Sequence, residues 1–249
     1  MYPQSVKRPR RGRLRRLVGR TLLLLLSVIV VAGGVATALA WRGLGHRASG
    51  ERRTRMERSP EWHAGHFENP QPLVNDLWGG LVAMRDASPV SAPIAPLSPP
   101  PVDPARFASA PASGLRITWM GHSTTLVEID GVTLLLDPVW STRPSPLSMI
   151  GPARWYPPLI ALDELPRIDA VLISHDHYDH LDQPTVAALS AAGAQFIVPL
   201  GIGAHLEYWG VPRARIVELD WWERTKVGTL DVVSTPARHA SGRMLIDNN

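Results

Sequence analysis

Four side chains that can bind a divalent metal ion lie within six positions of the sequence. They are His175, His177, Asp179 and His180, in the segment ISHDHYDHLD at 173–182. Imidazoles and carboxylates bind zinc and similar ions, and the chain has no cysteine that could supply a thiolate. The apolar run DAVLI before this segment is typical of a buried strand. The pattern H-x-H-x-D-H therefore predicts a metal site at the end of a strand.

The spacing of these residues predicts two metal sites. His175 and His177 are two positions apart, which places them on one side of an extended segment. Asp179 and His180 follow a turn of the chain and would face a second point nearby. Two ions held close together can activate a water and neutralise the oxygens of a displacement reaction. Four other histidines each stand alone, and we interpret them as ordinary solvated residues: His46, His63, His66 and His205.

A mixed sheet with outer helices is predicted to position the motif. Apolar runs predict strands at 115–120, 125–129, 132–137, 169–174, 195–200, 215–221 and 229–235. Asp130-Gly131 predicts a two-residue hairpin turn. Helices are predicted at 183–192, with Asp182 or Gln183 as N-cap and Gly193 as stop, and near 203–209. Strands that start as a meander and then alternate with helices are typical of an α/β (α+β) fold.

The N-terminus has the composition of a membrane anchor. Residues 1–20 carry eight basic side chains and no acidic one, and residues 21–41 carry no charge. A helix over 21–41 would span roughly the 30 Å of a bilayer's hydrocarbon core. We predict a cytoplasmic tail over 1–20, a transmembrane helix over 21–41 and an extracytoplasmic (periplasmic-side) remainder. The alternative is a signal peptide cleaved near Ala40, followed by secretion.

The remaining chain is mildly acidic and begins with a linker. Residues 21–249 carry 18 basic and 22 acidic side chains, so the net charge of +4 gives no indication of nucleic-acid binding. We interpret the charged segment 42–58 as a linker or short helix. The prolines of 89–111 predict an extended connector or wrapping arm. We therefore assign 42–112 to a linker and Pro-rich arm, and 113–249 to the domain that carries the motif.

The motif resembles the hallmark of the metallo-β-lactamase superfamily. Within this superfamily, the chain resembles in particular the phospholipase D-like branch that hydrolyses N-acyl-phosphatidylethanolamine. This resemblance covers residues 67–249. The segments that carry it are FENP, ITWMGHSTTLVEIDGVTLLLDPVWSTRPSP, GPARWYPP, ELPRIDAVLISHDHYDHLD, FIVPLG, VELDWWE and TPARHASGRMLIDNN. It implies the αββα sandwich of that superfamily and a phospholipid substrate at the membrane.

The resemblance also implies two zinc ions and their ligands. His175, His177 and His239 would hold the first ion, and Asp179, the candidate catalytic residue, would contribute to the second with His180. His122 in GHST would be a residue of the cleft wall, or a structural histidine. Asp137 would hydrogen-bond a ligand histidine or its loop, or cap a turn before Pro138.

Arginines and aromatic residues surround the predicted site. Arg143 and Arg154, in a loop, would pair with a phosphate or lie in solvent. Five aromatic side chains would line a groove for acyl chains, meet the bilayer interface or pack in the core: Trp140, Trp155, Tyr156, Trp221 and Trp222.

Two ligands of the resembling family have no counterpart in this sequence. Members carry a later aspartate that bridges both ions and a further histidine on the second ion, so we expect this chain to hold the N-terminal half of the fold. One alternative keeps the fold and changes the substrate to another ester, lactone or phosphodiester. A second alternative is a non-catalytic, membrane-anchored module whose second metal site is incomplete.

Overall fold

The computed structural model describes residues 11–71, 76–85 and 92–243. The predicted tail at 1–20 lies partly outside these residues. Contacts between residues divide the chain into one unit that ends at Trp41 and a second that starts at Arg42.

Helix α1 (Arg11–Leu44) contains the apolar segment of the first unit. Its portion from Arg15 to Leu44 contains an 18-residue window with a mean hydropathy of 2.6 and is long and apolar enough to cross a membrane. The hydroxyls of Thr21, Ser27 and Thr37 donate to backbone carbonyls one turn earlier, at 2.9–3.0 Å. These polar groups therefore have partners within the helix and need no water.

The second unit contains ten strands and four further helices among the described residues, with short 3₁₀ turns between some of them. Before the sheet come α2 (Gly50–Met56), β1 (Trp62–His63), β2 (His66–Phe67) and α3 (Leu77–Arg85). The sheet region contains β3 (Leu115–Gly121), β4 (Thr124–Ile129), β5 (Val132–Leu136), β6 (Ala170–Leu172), α4 (Gln183–Ala191), β7 (Phe196–Pro199), α5 (Gly203–Tyr208), β8 (Ile216–Leu219), β9 (Arg224–Val227) and β10 (Leu230–Val233).

Six strands form a mixed sheet in the order β3-β4-β5-β6-β7-β8. The first three pair antiparallel and the others pair parallel. The predicted tight turn between β4 and β5 is confirmed, because Asp130 and Gly131 have φ values of +49° and +80°. Since β3, β5 and β6 run in one direction, their carboxyl ends meet at one edge of the sheet.

Each face of this sheet is covered by a different layer. One face packs against α4 and α5 through a core that includes Leu126, Phe196 and Leu206. The other face packs against the hairpin β9–β10, where Val227, Leu230 and Val232 meet buried residues of the sheet. The order helix, sheet, sheet confirms the predicted mixed α/β class and matches half of an αββα sandwich.

Several elements differ from their predicted extents. Strand β6 has three residues instead of the six of 169–174. Strand β9 was not predicted, since its charged residues Arg224 and Lys226 alternate with only two inward positions. Asp182 stands at the N-cap of α4, as predicted, but its carboxylate accepts from Thr185 Oγ1 and backbone amides of the 138–165 loop and does not cap the helix.

The segment before the sheet packs onto the domain. In α2, Arg52 and Met56 are buried, and Arg52 forms ion pairs with Glu207 and Glu218 at 2.5 and 2.6 Å. Within the described part of the Pro-rich arm, Val102 and Phe107 pack against the main core, and the Val102 amide donates to the carbonyl of residue 159. The described part of the arm therefore packs against the core on one face of the sheet.

Candidate metal centre

The carboxyl edge of the sheet carries the predicted site residues. His122 follows β3, Asp137 follows β5, and the motif from His175 to His180 follows β6. The more distant histidine of the prediction, His239, lies in the loop after β10. The fold thus brings together residues that are far apart in sequence.

Three imidazoles form the first donor group. His175 Nε2 lies 3.0 Å from His177 Nδ1 and 3.0 Å from His239 Nε2, and the remaining pair is 3.3 Å apart. Three ring nitrogens so close together cannot all be joined by hydrogen bonds, because a ring nitrogen that donates its N–H has no lone pair with which to accept. The three nitrogens therefore form a candidate donor group for one metal ion.

The electrostatics of this group favour neutral imidazoles. Burial, followed by the nearby rings of His180, His177 and His239, lowers the pKa of His175 to about 4. Burial is also the main cause that lowers the pKa of His177. Both side chains therefore keep a lone pair available at neutral pH, as metal ligands must.

The spacing of the nitrogens fits a divalent ion. Ligands held about 2.0–2.1 Å from a tetrahedral zinc ion lie roughly 3.3–3.4 Å from each other. The observed separations of 3.0–3.3 Å are close to this value. His175, His177 and His239 can thus supply three ligands and leave a fourth position open.

A second donor group adjoins the first. It contains His122, Asp179 and His180, whose ligand atoms all lie within 4.8 Å of one another. His122 Nε2 is 2.8 Å from Asp179 Oδ2, and His180 Nε2 is 4.0 Å from the same oxygen. The rings of His175 and His180 are 4.1 Å apart, which joins the two groups. The structure therefore groups His122 with the candidate donors, whereas the sequence predicted a residue of the cleft wall or a structural histidine.

The charged states of this second group depend on two carboxylates. Burial opposes ionisation of Asp179, but the hydrogen bond with His122 and nearby imidazoles outweigh it and lower the pKa of Asp179. Burial acts to lower the pKa of His180, yet the hydrogen bond and charge of Asp137 raise it overall.

Asp137 fixes which ring nitrogens carry protons. Its carboxylate accepts from the Ser174 amide at 2.7 Å, from Ser174 Oγ at 2.7 Å and from His180 Nδ1 at 2.9 Å. Since Ser174 gives its only hydroxyl proton to Asp137, its oxygen must accept from His175 Nδ1, 2.9 Å away. His175 and His180 then both carry the proton on Nδ1, which leaves Nε2 of each free to bind a metal.

Backbone conformation helps to aim two of these side chains. His122 and Asp137 have φ values of +47° and +42°. Non-glycine residues seldom adopt this left-handed region, and Asp and His are among those that tolerate it best. Each residue stands directly after a strand, where this conformation turns the chain at the edge of the sheet.

The two predicted arginines bind backbone carbonyls of their own loop. Arg143 donates to the carbonyl of Gly151, and Arg154 donates to that of Val139 at 2.7 Å. Burial lowers the pKa of Arg154. The guanidinium of Arg154 also lies where a side chain at Gly121 would be, 2.8 Å from the position of an added Cβ. Arg154 therefore supports the turn that follows β3.

An aromatic wall lies next to His122. The indole of Trp119 is 53% exposed, donates to the carbonyl of His122 at 2.9 Å and stands edge-on to the ring of Tyr156. Trp155 is also exposed, at 58%. Trp140 is half-buried and packs against the core, and its indole donates to the carbonyl of residue 160. Trp222 is 67% exposed, so core packing, one of the roles considered for it, is wrong.

Three contributions to the site were missed or misread in the sequence. The Asn69 side chain, in the FENP segment, donates to the carbonyl of His239 at 3.2 Å. Ser174 was not singled out, although its position between Asp137 and the motif makes it the link to His175. His205, which the sequence predicts to be solvated, is buried in α5; its Nδ1 accepts from the amide of residue 46 at 2.9 Å, and its Nε2 lies 4.0 Å from Asp176 Oδ2.

Comparison with known proteins agrees with a metallo-hydrolase fold. Residues 133–249 match the model of the β-lactamase superfamily domain. An uncharacterized protein of Mycobacterium tuberculosis (strain ATCC 25618 / H37Rv) is 50% identical over 203 residues, which are 77% of this chain and 53% of that protein. The N-acyl-phosphatidylethanolamine-hydrolyzing phospholipase D 1 of Caenorhabditis elegans is 34% identical over 204 residues, or 74% and 57% of the two chains.

A solved structure and the lengths of the relatives complete the comparison. The metallo hydrolase from Ignicoccus hospitalis shares 27% identity and covers 51% of this chain and 50% of its own, with a TM-score of 0.40. The chain spans about half the length of the curated relatives it matches.

The fold and the grouped donors define a metal-dependent hydrolase domain. Residues 133–249 thus form a match to the β-lactamase superfamily domain, and relatives of the chain include an N-acyl-phosphatidylethanolamine-hydrolyzing phospholipase D. The resemblance identified from the sequence motifs is thereby confirmed.

Proposed function

We propose that the protein is a membrane-anchored, zinc-dependent phosphodiesterase of phospholipase D type that acts on N-acyl-phosphatidylethanolamine-type phospholipids. The observation that carries this proposal is the adjacency of two donor groups, one around His175 and one around Asp179, at one edge of the sheet. The named activity of the nematode relative supports the substrate class.

The residues of the two groups would hold two ions. His175, His177 and His239 would bind the first, and His122, Asp179 and His180 would contribute to the second. Divalent ions bound there would supply a nucleophile from water at neutral pH and would offset the negative charge of a phosphodiester in the transition state.

Asp179 and His122 would accept and donate protons or hydrogen bonds at the site. Their side chains are 41% and 55% exposed, so both can reach a substrate in the cleft. Because its pKa is lowered, Asp179 remains a carboxylate at neutral pH and can accept a hydrogen bond from a water or from a substrate hydroxyl. Asp137 would keep the lone pairs of His175 and His180 directed at the ions.

The surroundings of the site suit a lipid substrate. Trp119 and Trp155 expose more than half of their surface, and aromatic side chains of this kind are favoured at the boundary between bilayer and water. Helix α1 is long and apolar enough to hold the domain at that boundary. With the N-terminal arginines in the cytoplasm, the hydrolase domain would lie on the periplasmic side.

A substrate comparison with the full-length protein tests the proposal. The protein, purified in detergent and loaded with zinc, is given N-acyl-phosphatidylethanolamine in mixed micelles and, separately, a water-soluble phosphodiester. We expect release of phosphatidic acid from the lipid and much slower cleavage of the soluble ester. Cleavage of the soluble ester or of a lactone alone would contradict the lipid substrate and favour another hydrolase activity.

A metal measurement separates the enzyme from the non-catalytic alternative. His177→Ala should lower the bound zinc, since it removes one of three ligands from the first group, whereas His63→Ala, at an exposed position of β1, should not. If the wild-type protein binds zinc but hydrolyses none of these substrates, the non-catalytic module is favoured. Unchanged zinc content in His177→Ala would refute the ligand assignment.

A further inference from the structure

Asp176 lies between two candidate ligands but points away from them. It is 1% exposed, because alternate residues of an extended segment face opposite sides and His175 and His177 take the side of the metal group. Its Oδ1 accepts from Ser241 Oγ at 2.9 Å and from the Gly242 amide at 2.8 Å. Ser241 follows the third ligand, at position 239, by two positions. The carboxylate therefore ties the loop of the third ligand to the segment of the first two.

Arg243 makes a second connection between the same two segments. Its side chain is 4% exposed, and Nη1 donates to the carbonyls of Asp176 and Leu181 at 2.7 and 2.8 Å. The guanidinium lies 4.0 Å from the centre of the Tyr178 ring, whose hydroxyl donates to the Arg243 carbonyl at 2.6 Å. Both the side chain and the backbone of Arg243 are thus held by the motif.

The loop that carries His239 is not held by regular secondary structure. The described residues from 234 to 243 contain no helix or strand, and His239 itself is exposed. Its backbone is also reached by Asn69, at 3.2 Å. His239 is 64 positions from His175, so no local structure holds the two rings together. Their approach must depend on contacts of the loop.

We propose that Asp176, Ser241, Gly242 and Arg243 form a latch that positions His239 against the other two histidines of the first donor group, and so completes that group. Asp176 and Arg243 are positioning residues in this scheme, since neither side chain enters the donor group. The inference rests on the proposed metal site and explains how a distant third ligand is brought to it.

Arg42 and Gly43 make further contacts with Arg243 and with its neighbour Trp209. The carbonyl of Gly43 accepts from Arg243 Nη2 at 2.8 Å and from Nε at 3.3 Å. The carbonyl of Arg42 accepts from the indole of Trp209, whose ring lies 5.0 Å from the Arg243 guanidinium. Arg243 is therefore enclosed by the motif on one side and by the chain at 42–43 on the other.

A double-mutant cycle on the full chain tests the latch. The dissociation constant for zinc is measured by competition with a chelator for wild type, Asp176→Ala, His239→Ala and the double variant. We expect Asp176→Ala to weaken zinc binding by about 10- to 100-fold in the wild-type background, as is usual when groups that orient ligands are removed. In the His239→Ala background the same change should have almost no further effect.

Other outcomes of the cycle are equally informative. An equal loss in both backgrounds would show a general effect on the motif, and no loss in wild type would show that His239 needs no latch; either result overturns the proposal. Asp231→Ala, which removes an exposed aspartate paired with Lys226 in the β9–β10 hairpin, serves as the control and should leave zinc binding unchanged.

Two further measurements keep the test decisive. If Asp176→Ala does not fold, Ser241→Ala removes one hydrogen bond of the latch without removing a buried charge, and should still weaken zinc binding by a few fold. Hydrogen exchange of the metal-free protein tests the latch independently of zinc, because backbone amides at 237–243 should exchange faster in Ser241→Ala. Unchanged exchange and affinity would refute the latch, whereas a wild type without affinity for zinc would refute the metal site instead.

Discussion

Replacing Asp137 by asparagine should weaken both metal sites although the substitution preserves shape. The amide oxygen must face the Ser174 backbone N–H, so the NH₂ group takes the position of Oδ2, next to Ser174 Oγ and His180 Nδ1. A donor at that position turns both neighbours into acceptors. The Ser174 hydroxyl then donates to His175 Nδ1, and both histidines carry their proton on Nε2, where the metals should bind.

The size of this effect follows from the hydrogen bonds that would be lost. To bind a metal in the Asp137→Asn variant, each histidine must move its proton back from Nε2 to Nδ1. In the wild type a hydrogen-bond chain that ends on the Asp137 carboxylate stabilises this Nδ1–H form, and in the variant that chain is missing. Hydrogen bonds to charged groups contribute about 1.5–3 kcal/mol each. Since about 1.4 kcal/mol corresponds to a factor of ten, each ion should bind roughly 10- to 150-fold more weakly.

Zinc titration with a competing chelator measures both sites. Ser174→Ala is the matched control, because it removes the partner of His175 but leaves the bond between Asp137 and His180. It should therefore weaken one site only. If Asp137→Asn binds two ions with wild-type affinity while remaining folded, the protonation scheme derived from these hydrogen bonds is incorrect.

Three further predictions concern the substrate, pH and topology. Trp119→Ala should raise KM for lipid micelles while leaving cleavage of a soluble ester unchanged, since the exposed indole lies beside His122; equal effects on both substrates would exclude a role in lipid contact. Metal-free protein should lose stability as the pH falls from 6.5 towards 4. The pKa of His175 is 6.5 in the unfolded chain and about 4 in the folded protein, so over this range protons bind the unfolded chain more readily. The melting temperature of the His175→Gln variant should therefore fall less over the same range. Because the chain has no cysteine, the Lys226→Cys variant has a single, exposed thiol. This thiol should react with a membrane-impermeant maleimide in intact cells if the domain is periplasmic. A thiol that reacts only after the cells are lysed would place the domain in the cytoplasm.

The parts of the site that could be predicted are local in sequence. His175, His177, Asp179 and His180 follow one strand, so their types and spacing alone indicate a metal site. The strands β3, β4 and β5 were also predicted, because their apolar runs are bounded by clear turn residues such as those at 130–131. These features depend on backbone periodicity and turn preference, which a short segment specifies by itself.

The parts that could not be predicted depend on tertiary contacts. His122 joins Asp179 across 57 positions, and Arg243 reaches Asp176 across 67. No local pattern marks such pairs, and a lone histidine or arginine is usually a surface residue. Arg52 shows the same limit, since a segment as charged as GERRTRM gives no sign that one of its arginines is buried between two glutamates.

The position of Gly43 bears on what would happen if the N-terminal segment were removed. Cleavage after Ala40 would make Trp41 the first residue of a mature chain, with the residues at 42 and 43 still attached to it. The two carbonyls that enclose Arg243 and Trp209 would therefore be retained in a secreted form as in an anchored form. Zinc affinity should then be the same for both forms, whereas a cut only a few residues later would free Arg243 from one of its partners.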